Sequence, residues 1–546
     1  MTGVLFFAPS SAKIHAEIFA TARAYFALAV FYYFFMPLES HDRDVFAIVG
    51  LAPETQAVAF AKYSRSQESV KTTIEDLTDE KSAEFHEKWV IGYGDASVAD
   101  MAMIAMALEN ISMIATKAIE DHRLASYQEK STRYVPFDPT RFHKPKKFLE
   151  LGAAGELYTH AIEELMAGYT ELTDGMIAYF RAKYPRPADT TDRAYENKLR
   201  ARALDVARYV LPVSTLTNMG LIASAREIRY MISRLRASGN EEVREIAAEL
   251  ERAALEPAYN PQTKKVEPLF EKLTQYGVPD DLVSEVRVAL RLSVKGAPTL
   301  IKHTEPREYL LKKDAIGKLA CLFLEDDDYG IEETRVQLVS DASPEDELVA
   351  SLLYPHTTVS YEALVHRSRK LTFEQKRALI DSINANRTSH DNLSREFEVG
   401  NHFVFDTLMD YGAYRDLQRH RLTSQLSQPI STAHGYEIPR DLEDAGLLPL
   451  YEKLLHANRE AFAALSAIDG EEARYVLAMA WRKRTLFKMN LRELYHIIEL
   501  RSRSGGHFSY RTLVYDMYEL VRKQHPLLAE HIRATHMNFD ADFYGR

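Results

Sequence analysis

The sequence contains a single cysteine, Cys321, among 546 residues. One cysteine excludes an intrachain disulfide framework and any metal site built from several thiolates. Cys321 also lies far from the arginine-rich motifs described below, so we expect a buried structural thiol rather than a catalytic nucleophile. The lack of disulfides fits a reducing compartment, and we expect a cytoplasmic protein.

A block of lysine and arginine residues is also lacking, and the formal net charge is −11. This balance argues against nucleic acid as a partner, although individual arginines still suit small phosphates. No G-x-G-x-x-G follows a predicted strand and no P-loop is present, so neither a Rossmann domain nor a kinase is indicated. His356, His366 and His390 lack the spacing of a ligand set, and we expect no metal site.

Long apolar runs are rare, and the clearest one covers residues 24–35 (AYFALAVFYYFF). It is short for a membrane span, because a helix needs about 20 apolar residues to cross the hydrocarbon core. Three explanations stay open: an extension upstream of the real domain with Met36 as the true start, an added docking helix, or membrane targeting. We treat residues 1–44 as an N-terminal extension and expect no membrane partner.

The rest of the chain contains an internal repeat. VFAIVGLAPETQAVAFAKYSR from Val45 aligns without gaps with VQLVSDASPEDELVASLLYPH from Val336, and ARYVL recurs at Ala207 and Ala473. Landmarks that recur in the same order indicate a tandem duplication. The predicted parts are a first copy at 45–296, a connector at 297–335 and a second copy at 336–546.

Helical periodicity dominates both copies. Apolar residues recur at i, i+3, i+4 and i+7 in Glu241–Leu255 and in Arg474–Tyr495, whereas only a few short runs resemble strands. Each copy should begin with a short strand, a turn at Pro53 or Pro344, and a helix. We therefore expect a helix-rich α+β fold.

The most distinctive segment is Asp121–Tyr134, which has the sequence DHRLASYQEKSTRY. Arg123 and Arg133 are fixed cations whose forked donors suit phosphate oxygens, and His122 adds a titratable donor. A second, differently altered copy of the motif begins at Arg419 with RHRLTSQLSQP. The two segments predict binding of a small phosphorylated molecule.

A helix predicted from Met489 (MNLRELYHIIELR) carries a second pattern. Asn490 and Arg501 bracket an apolar stripe on one face, where a buried amide and a buried guanidinium both need partners. The first copy keeps the stripe but has Ser224 and Leu235 at its ends. Packing therefore does not require the polar pair, and we expect it to be functional. The alternative is an amphipathic helix whose last-turn arginine suits the helix dipole.

These segments resemble the signature of the flavin-dependent thymidylate synthases, R-H-R-x-x-S-x-x-E-x-S-x-R, with Asp121 in place of the first arginine of the first copy. The resemblance covers roughly residues 45–255 and 336–525 and implies two tandem copies of the alternative thymidylate synthase-like domain. It implies reductive methylation of deoxyuridylate (dUMP) to thymidylate (dTMP). Methylenetetrahydrofolate would be the carbon source, FAD the hydride carrier and NADPH the reductant.

The resemblance also implies roles for individual residues. The implied catalytic residues are Glu129, Ser131 and Arg501. The implied FAD contacts are His122, Arg123, Arg419, His420, Arg421, Asn490, Arg492 and His496. The implied deoxyuridylate contacts are Glu129, Ser131, Arg133, Arg208, Arg419 and Arg501.

The two copies have lost complementary parts of the signature. The first keeps the E-x-S-x-R segment and Arg208, and the second keeps R-H-R and the Asn490–Arg501 helix. Family members are homotetramers whose sites combine these two sets from different subunits. The resemblance therefore implies one composite site from both copies and an inactive reciprocal site that pairs Asp121 with Pro429. It also implies a homodimer of tandem chains that forms a pseudo-tetramer.

Two departures from the family pattern keep other functions open. Asp416 replaces the glutamine that precedes R-H-R in the family, and Gly505–Arg511 (GGHFSYR) replaces its A-Q-x-E-I-R tail. One alternative is a catalytically degenerate paralogue that still binds FAD or a nucleotide. The other is a flavoenzyme that acts on another pyrimidine nucleotide.

Overall fold

The structure is a computed structural model that describes residues 46, 48–66, 69–75, 77–92, 97–306, 335–338, 343–353, 368–384, 397, 399 and 403–544. The N-terminal extension, Cys321 and most of the predicted connector lie outside these residues, as do His356, His366 and His390. The chain from Ala52 onward forms one compact unit. No helix within the described residues is long and apolar enough to cross a membrane.

The first copy combines eleven described helices with a three-stranded sheet. Its helices are α1 (Pro53–Tyr63), α2 (Val70–Glu75), α3 (Asp79–His86), α4 (Met113–Glu120), α5 (Lys146–Leu149), α6 (Ala153–Lys183), α7 (Asp192–Ala207), α8 (Ala225–Leu235), α9 (Glu241–Leu255), α10 (Pro261–Gln275) and α11 (Asp280–Ala289). Its strands are β1 (Met103–Ser112), β2 (Ser126–Glu129) and β3 (Leu216–Ser224). A buried-exposed alternation along β3 matches a sheet with one covered face.

The second copy repeats this plan with fewer helices. Its helices are α12 (Pro344–Leu353), α13 (Phe373–Asn384), α14 (Tyr411–Leu417), α15 (Asp441–Asp444), α16 (Leu448–Ser466), α17 (Leu491–Arg501), α18 (Phe508–Gln524), α19 (Pro526–Ala529) and α20 (Phe539–Tyr544). Its strands are β4 (Val336–Leu338), β5 (Phe403–Asp410), β6 (Ser424–Ser427) and β7 (Arg482–Met489). The helix-rich α+β prediction is confirmed.

The sheets show the duplication directly. Both are antiparallel, with orders β1-β3-β2 and β4-β5-β7-β6, so equivalent strands pair in the same way in the two copies. In each copy the first long strand runs into a short helix, α4 or α14, whose N-cap is Ser112 or Asp410. The motif turn follows that helix and leads into an edge strand, so both motifs lie at one end of their sheets.

Three local predictions can be compared with these elements. The helix predicted at Glu241–Leu255 is confirmed as α9, and the helices expected after Pro53 and Pro344 are confirmed as α1 and α12. The helical interpretation of Arg474–Tyr495 is wrong, because this stretch holds a 3-10 turn, the strand β7 and only the start of α17. The short strand expected before Pro344 is confirmed as β4, whereas the described residues 46 and 48–52, ahead of Pro53, form no strand.

The two copies pack against each other through equivalent segments. The two segments that follow the ARYVL turns form a short antiparallel bridge. Val213 N donates to Leu477 O at 2.9 Å, and Met479 N donates to Leu211 O at 2.9 Å. Helices α6 and α16 also pack closely, since a Cβ on Gly168 would clash with a Leu454 methyl group. One hydrophobic core contains residues of both copies. The copies therefore form a pseudo-symmetric pair within one chain.

A buried asparagine holds the second copy's side of this junction and gives a stability prediction. Asn458 is 2% exposed; its Nδ2 donates to Val476 O, and its Oδ1 accepts from Ala478 N and Trp481 Nε1. Asn458→Leu leaves these groups unpaired, so we expect the free energy of unfolding in urea to fall by about 2–5 kcal/mol. The control Asn197→Leu, on the exposed face of α7, should change it by about 0.5 kcal/mol or less. A buried-site variant as stable as the control would contradict this role.

Candidate functional site

The two motif turns meet at the junction of the copies. Arg123 Nε donates to the carbonyl of Arg421 at 2.8 Å, and the Arg421 guanidinium donates to the carbonyl of Ala125. Beside them, Gln418 Nε2 donates to the carbonyl of Lys117 at 3.0 Å. Both arginines remain exposed and line one cavity of about 200 Å³. The turns thus hold each other through backbone carbonyls.

Glu129 lies beneath these turns with a side chain that is 0% exposed. Its carboxylate accepts from Thr116 Oγ1 at 3.2 Å and Lys117 Nζ at 3.1 Å in its own copy. From the second copy it accepts from Arg415 and, at 3.4 Å, from Arg419 Nη2. Burial opposes its charge, but Arg415, Lys117 and Arg419 outweigh burial and lower the pKa of Glu129 to about 2. Glu129 is therefore an ionic link between the copies.

Arg133 is also buried, and most of its donors are used within the chain. Nε donates to Asp205 Oδ1 at 3.0 Å, Nη1 to the Tyr510 hydroxyl at 3.2 Å, and Nη2 to the carbonyl of Gly505 at 3.1 Å. Gly505 and Tyr510 belong to the segment that departs from the family tail. The altered tail therefore covers Arg133, and Asp205 balances its charge.

Arg208 and Asp416 form the centre of the arrangement. Arg208 is 2% exposed, and its Nη1 lies 3.5 Å from Asp416 Oδ2 and donates to Thr132 Oγ1 at 3.4 Å. Its Nε and Nη2 are buried and donate to no described acceptor. Burial would raise the pKa of Asp416, but Arg208, Arg133, Arg419 and Arg501 lower it. Four guanidiniums, two from each copy, thus act on one carboxylate.

The helix α17 supplies the last of these arginines. Arg501 Nε donates to His420 Nε2 at 2.9 Å, so the His420 proton lies on Nδ1 and is donated to Glu493 Oε1 at 2.9 Å. Burial, together with Arg501 and His496, holds the pKa of His420 well below its usual value. Burial raises the pKa of Glu493 to about 7, although His496 and Arg492 act to lower it. Arg501 is therefore oriented by a neutral imidazole.

The first copy shows which of these contacts belong to the fold. Ser224 Oγ caps α8 by accepting from Glu227 N, as Asn490 Oδ1 caps α17 by accepting from Glu493 N. His122 Nδ1 likewise lies 3.4 Å from Glu227 Oε1. The inference that packing does not need a polar residue at position 490 is therefore wrong, because both copies use a helix cap there. Arg501 is the feature that only the second copy has.

The remaining predicted residues lie at different depths. Ser131 is half-buried, and its hydroxyl accepts from Arg133 N at 3.2 Å. His122 is 1% exposed, packed 5.3 Å from the Tyr230 ring, so its imidazole is enclosed within its own copy. Among the predicted residues of the second copy, Arg419 and His496 are exposed, and Asn490 and Arg492 are half-buried.

Sequence patterns did not identify Lys117, Arg415, Asp205 or Tyr510. A signal existed for the first two, since each stands four residues before the start of its motif copy, at Asp121 or Arg419. Asp205 lies in the last turn of α7, a helix that the second copy lacks, so the repeat gave no guide to it. Tyr510 lies in the tail where the family pattern is lost.

Comparison with known proteins places the chain in a family. The sequence profile of the thymidylate synthase complementing proteins matches residues 49–257 and 338–527, which together make up more than half of the chain. The chain belongs to this family. The two matched segments confirm the tandem duplication.

Relatives of two kinds share this similarity. A UPF0159 protein of Chlamydia muridarum is 29% identical over 509 residues, covering 89% of this chain and 90% of the relative. A UPF0159 protein of Thermoplasma acidophilum is 27% identical, covering 86% and 93%. A flavin-dependent thymidylate synthase of Clostridium tetani is 25% identical over 199 residues, covering 36% of this chain and 76% of the synthase. The similarity to the UPF0159 proteins thus spans both copies, whereas the synthase matches about one copy.

The Glu129 cluster gives the second prediction. Glu129→Gln removes the carboxylate that Lys117, Arg415 and Arg419 share, so the free energy of unfolding should fall by about 3 kcal/mol or more. Because the folded-state pKa is lowered, the wild-type advantage should be complete above about pH 5 and lost progressively toward about pH 2. Urea unfolding at a series of pH values measures both effects. The exposed control Glu249→Gln should show neither; an unchanged Glu129 variant would contradict the account.

Proposed function

We propose that the chain is a flavin-dependent thymidylate synthase with one composite active site built from both copies. In this proposal it converts deoxyuridylate to thymidylate with methylenetetrahydrofolate as the carbon source, FAD as hydride carrier and NADPH as reductant. The main support is the convergence of Arg133 and Arg208 from the first copy with Arg419 and Arg501 from the second around one position. Such a cluster suits a phosphorylated substrate.

The residues present fit the nucleotide. The two buried nitrogens of Arg208 without described acceptors are donors that an anionic ligand would satisfy. Arg419 is anchored at Glu129 yet 40% of its side chain is exposed, so it has donors to offer at the entrance. Arg133 is held by Asp205 and the Gly505 carbonyl. These contacts fix its position, but the carboxylate of Asp205 weakens its attraction for a ligand anion.

The residues also fit a flavin cofactor. The exposed guanidiniums of Arg123 and Arg421 line one cavity and offer donors suited to a pyrophosphate, and Arg419 is exposed as well. His496 lies beside His420 at a ring distance of 5.4 Å. FAD, when bound, supplies the hydride-transfer chemistry. His122 is the exception among the implied contacts, because it is enclosed within the first copy.

The chain itself would contribute binding, orientation and electrostatics. His420 engages Nε of Arg501, so the terminal nitrogens of this guanidinium remain for an oxygen of the pyrimidine, where they would stabilise negative charge. Arg208 and Arg419 would hold the phosphate and so fix the ring relative to Arg501. With activation supplied in this way, no cysteine nucleophile is needed.

A thymidine auxotroph provides the direct test. The wild-type gene should restore growth without thymidine, whereas Arg208→Ala and Arg501→Ala should abolish growth and deoxyuridylate turnover, because each removes a charge from the composite site. Arg474 is the counterpart of Arg208 in the repeat, and Arg474→Ala should leave turnover within a few-fold of wild type. Failure of the wild-type gene would contradict the synthase proposal. Equal loss in the Arg208 and Arg474 variants would contradict the composite site.

A specific observation favours a second candidate, an enzyme or binding protein for another pyrimidine nucleotide. The carboxylate of Asp416 lies among the arginines where the family has an uncharged glutamine, and it competes with a substrate anion for Arg208. Deoxyuridylate therefore has to displace this contact. A ligand with a different anionic group would not face the same competition.

Asp416→Gln separates these candidates. Removing the negative charge should tighten deoxyuridylate binding roughly tenfold, which is about 1.4 kcal/mol, because Arg208 is released for the phosphate. Equilibrium dialysis measures this, with deoxyuridine as the control ligand because it lacks the phosphate and should be unaffected. Unchanged deoxyuridylate binding would show that the phosphate does not reach Asp416, and the second candidate would then be preferred.

The proposal also includes assembly. Two chains should associate into a pseudo-tetramer, since obligate assemblies in such families bury large interfaces. Sedimentation equilibrium at micromolar concentration should therefore give the mass of a dimer. A fully active monomer would contradict this part of the proposal.

A further inference from the structure

A cavity of about 430 Å³ lies at the reciprocal position, between α4 of the first copy and β6 and β7 of the second. Asp121 and Pro429, the pair expected to make the reciprocal site inactive, line it together with Arg474, the counterpart of Arg208. Its volume lies within the range of small-molecule sites. The reciprocal side has therefore lost most of the family residues but kept an open cavity.

Lys483 is the unusual residue of this cavity. It lies on β7, lines the cavity and is only 5% exposed. Its Nζ lies 3.8 Å from the centroid of the Tyr414 ring and 5.8 Å from that of Tyr411, and it donates to no described oxygen. A buried ammonium without a carboxylate is costly, and the aromatic faces offset only part of that cost. An anion bound next to Nζ would therefore stabilise the charged form of Lys483.

Two further facts separate Lys483 from the duplicated fold. Its counterpart in the ARYVL-aligned repeat is Thr217, so the lysine belongs to the reciprocal side alone. Burial, with a contribution from Arg474, lowers the pKa of Lys483 to about 7 against the opposing effect of Asp121. An anion bound beside Nζ would reverse this effect and retain the proton.

The other charges that line the cavity already have partners. Asp121 pairs with Arg234, and Arg474 pairs with Glu471. Lys117 pairs with Glu120 and, at 3.1 Å, with Glu129. Among the described residues that line the cavity, a ligand anion would therefore meet one uncompensated cation, Lys483, beside the rings of Tyr411 and Tyr414.

We propose that this cavity is a second ligand site, distinct from the composite site, which binds a small phosphate- or carboxylate-bearing molecule through the ammonium group of Lys483. The apolar walls formed by Ile114 and Ile430 pack against the body of the ligand. This site does not depend on the synthase activity, since it uses none of the residues assigned to that reaction.

The test labels Lys483 in the wild-type chain with pyridoxal 5′-phosphate, which carries both a phosphate and an aldehyde. The uncharged amine attacks the aldehyde carbon, water leaves and an imine forms; borohydride then adds hydride to the imine carbon and leaves a stable secondary amine. Peptide mass spectrometry follows labelling at Lys483 and at Lys488, which lies on the opposite face of β7. Near pH 7.5, Lys483 should be labelled on the order of tenfold faster, because burial leaves more of its amine uncharged.

Competition identifies the anion. Inorganic phosphate and sodium acetate are added separately, with sodium chloride keeping the ionic strength equal in every arm. Several-fold slower labelling of Lys483 with phosphate supports a phosphate-bearing ligand, and the same effect with acetate supports a carboxylate. Labelling of Lys488 should not change in either arm. Labelling of Lys483 that is no faster than that of Lys488, or that neither anion slows, would overturn the proposal.

Discussion

The arrangement of the two copies depends on one buried carboxylate. Glu129 comes from the first copy, yet two of its cationic partners, Arg415 and Arg419, come from the second. A buried charge is tolerated only when its partners stay in place, so this cluster fixes the relative position of the two motif turns. It also anchors Arg419 beside Asp416 and Arg208. The family resemblance assigns Glu129 to substrate binding, but without a ligand its carboxylate already links the two copies through ion pairs.

Duplication has allowed the two sides of the junction to diverge. The helix cap and the histidine–glutamate pair occur in both copies, so they belong to the fold. On one side Arg133, Arg208, Arg419 and Arg501 converge, but Asp205, Asp416 and the altered tail already engage several of their donors. The other side has fewer family residues and an open cavity of about 430 Å³. One side of the junction therefore holds the cluster of four arginines, and the other holds the open cavity.

Features that depend on local residue spacing could be predicted from the sequence. The repeat, the helix Glu241–Leu255 and the helix that follows Asn490 were all visible in spacing. The strand β7 was mistaken for helix because its apolar spacing is ambiguous, and the hydrogen bonds that decide its state come from β5 and β6. The composite cluster was expected from the complementary losses. The partners of Arg133 were not predicted, because Asp205 and the acceptors of the tail reach this arginine only through tertiary packing.

The central claim is that one chain holds a single composite nucleotide site made from both copies. A crystal structure with deoxyuridylate bound tests it most directly. We expect one nucleotide per chain, with its phosphate between Arg208 and Arg419, its base beside Arg501 and the Asp416 carboxylate moved away from Arg208. A deoxyuridylate molecule bound only in the reciprocal cavity beside Lys483, or two equivalent nucleotides per chain, would contradict it.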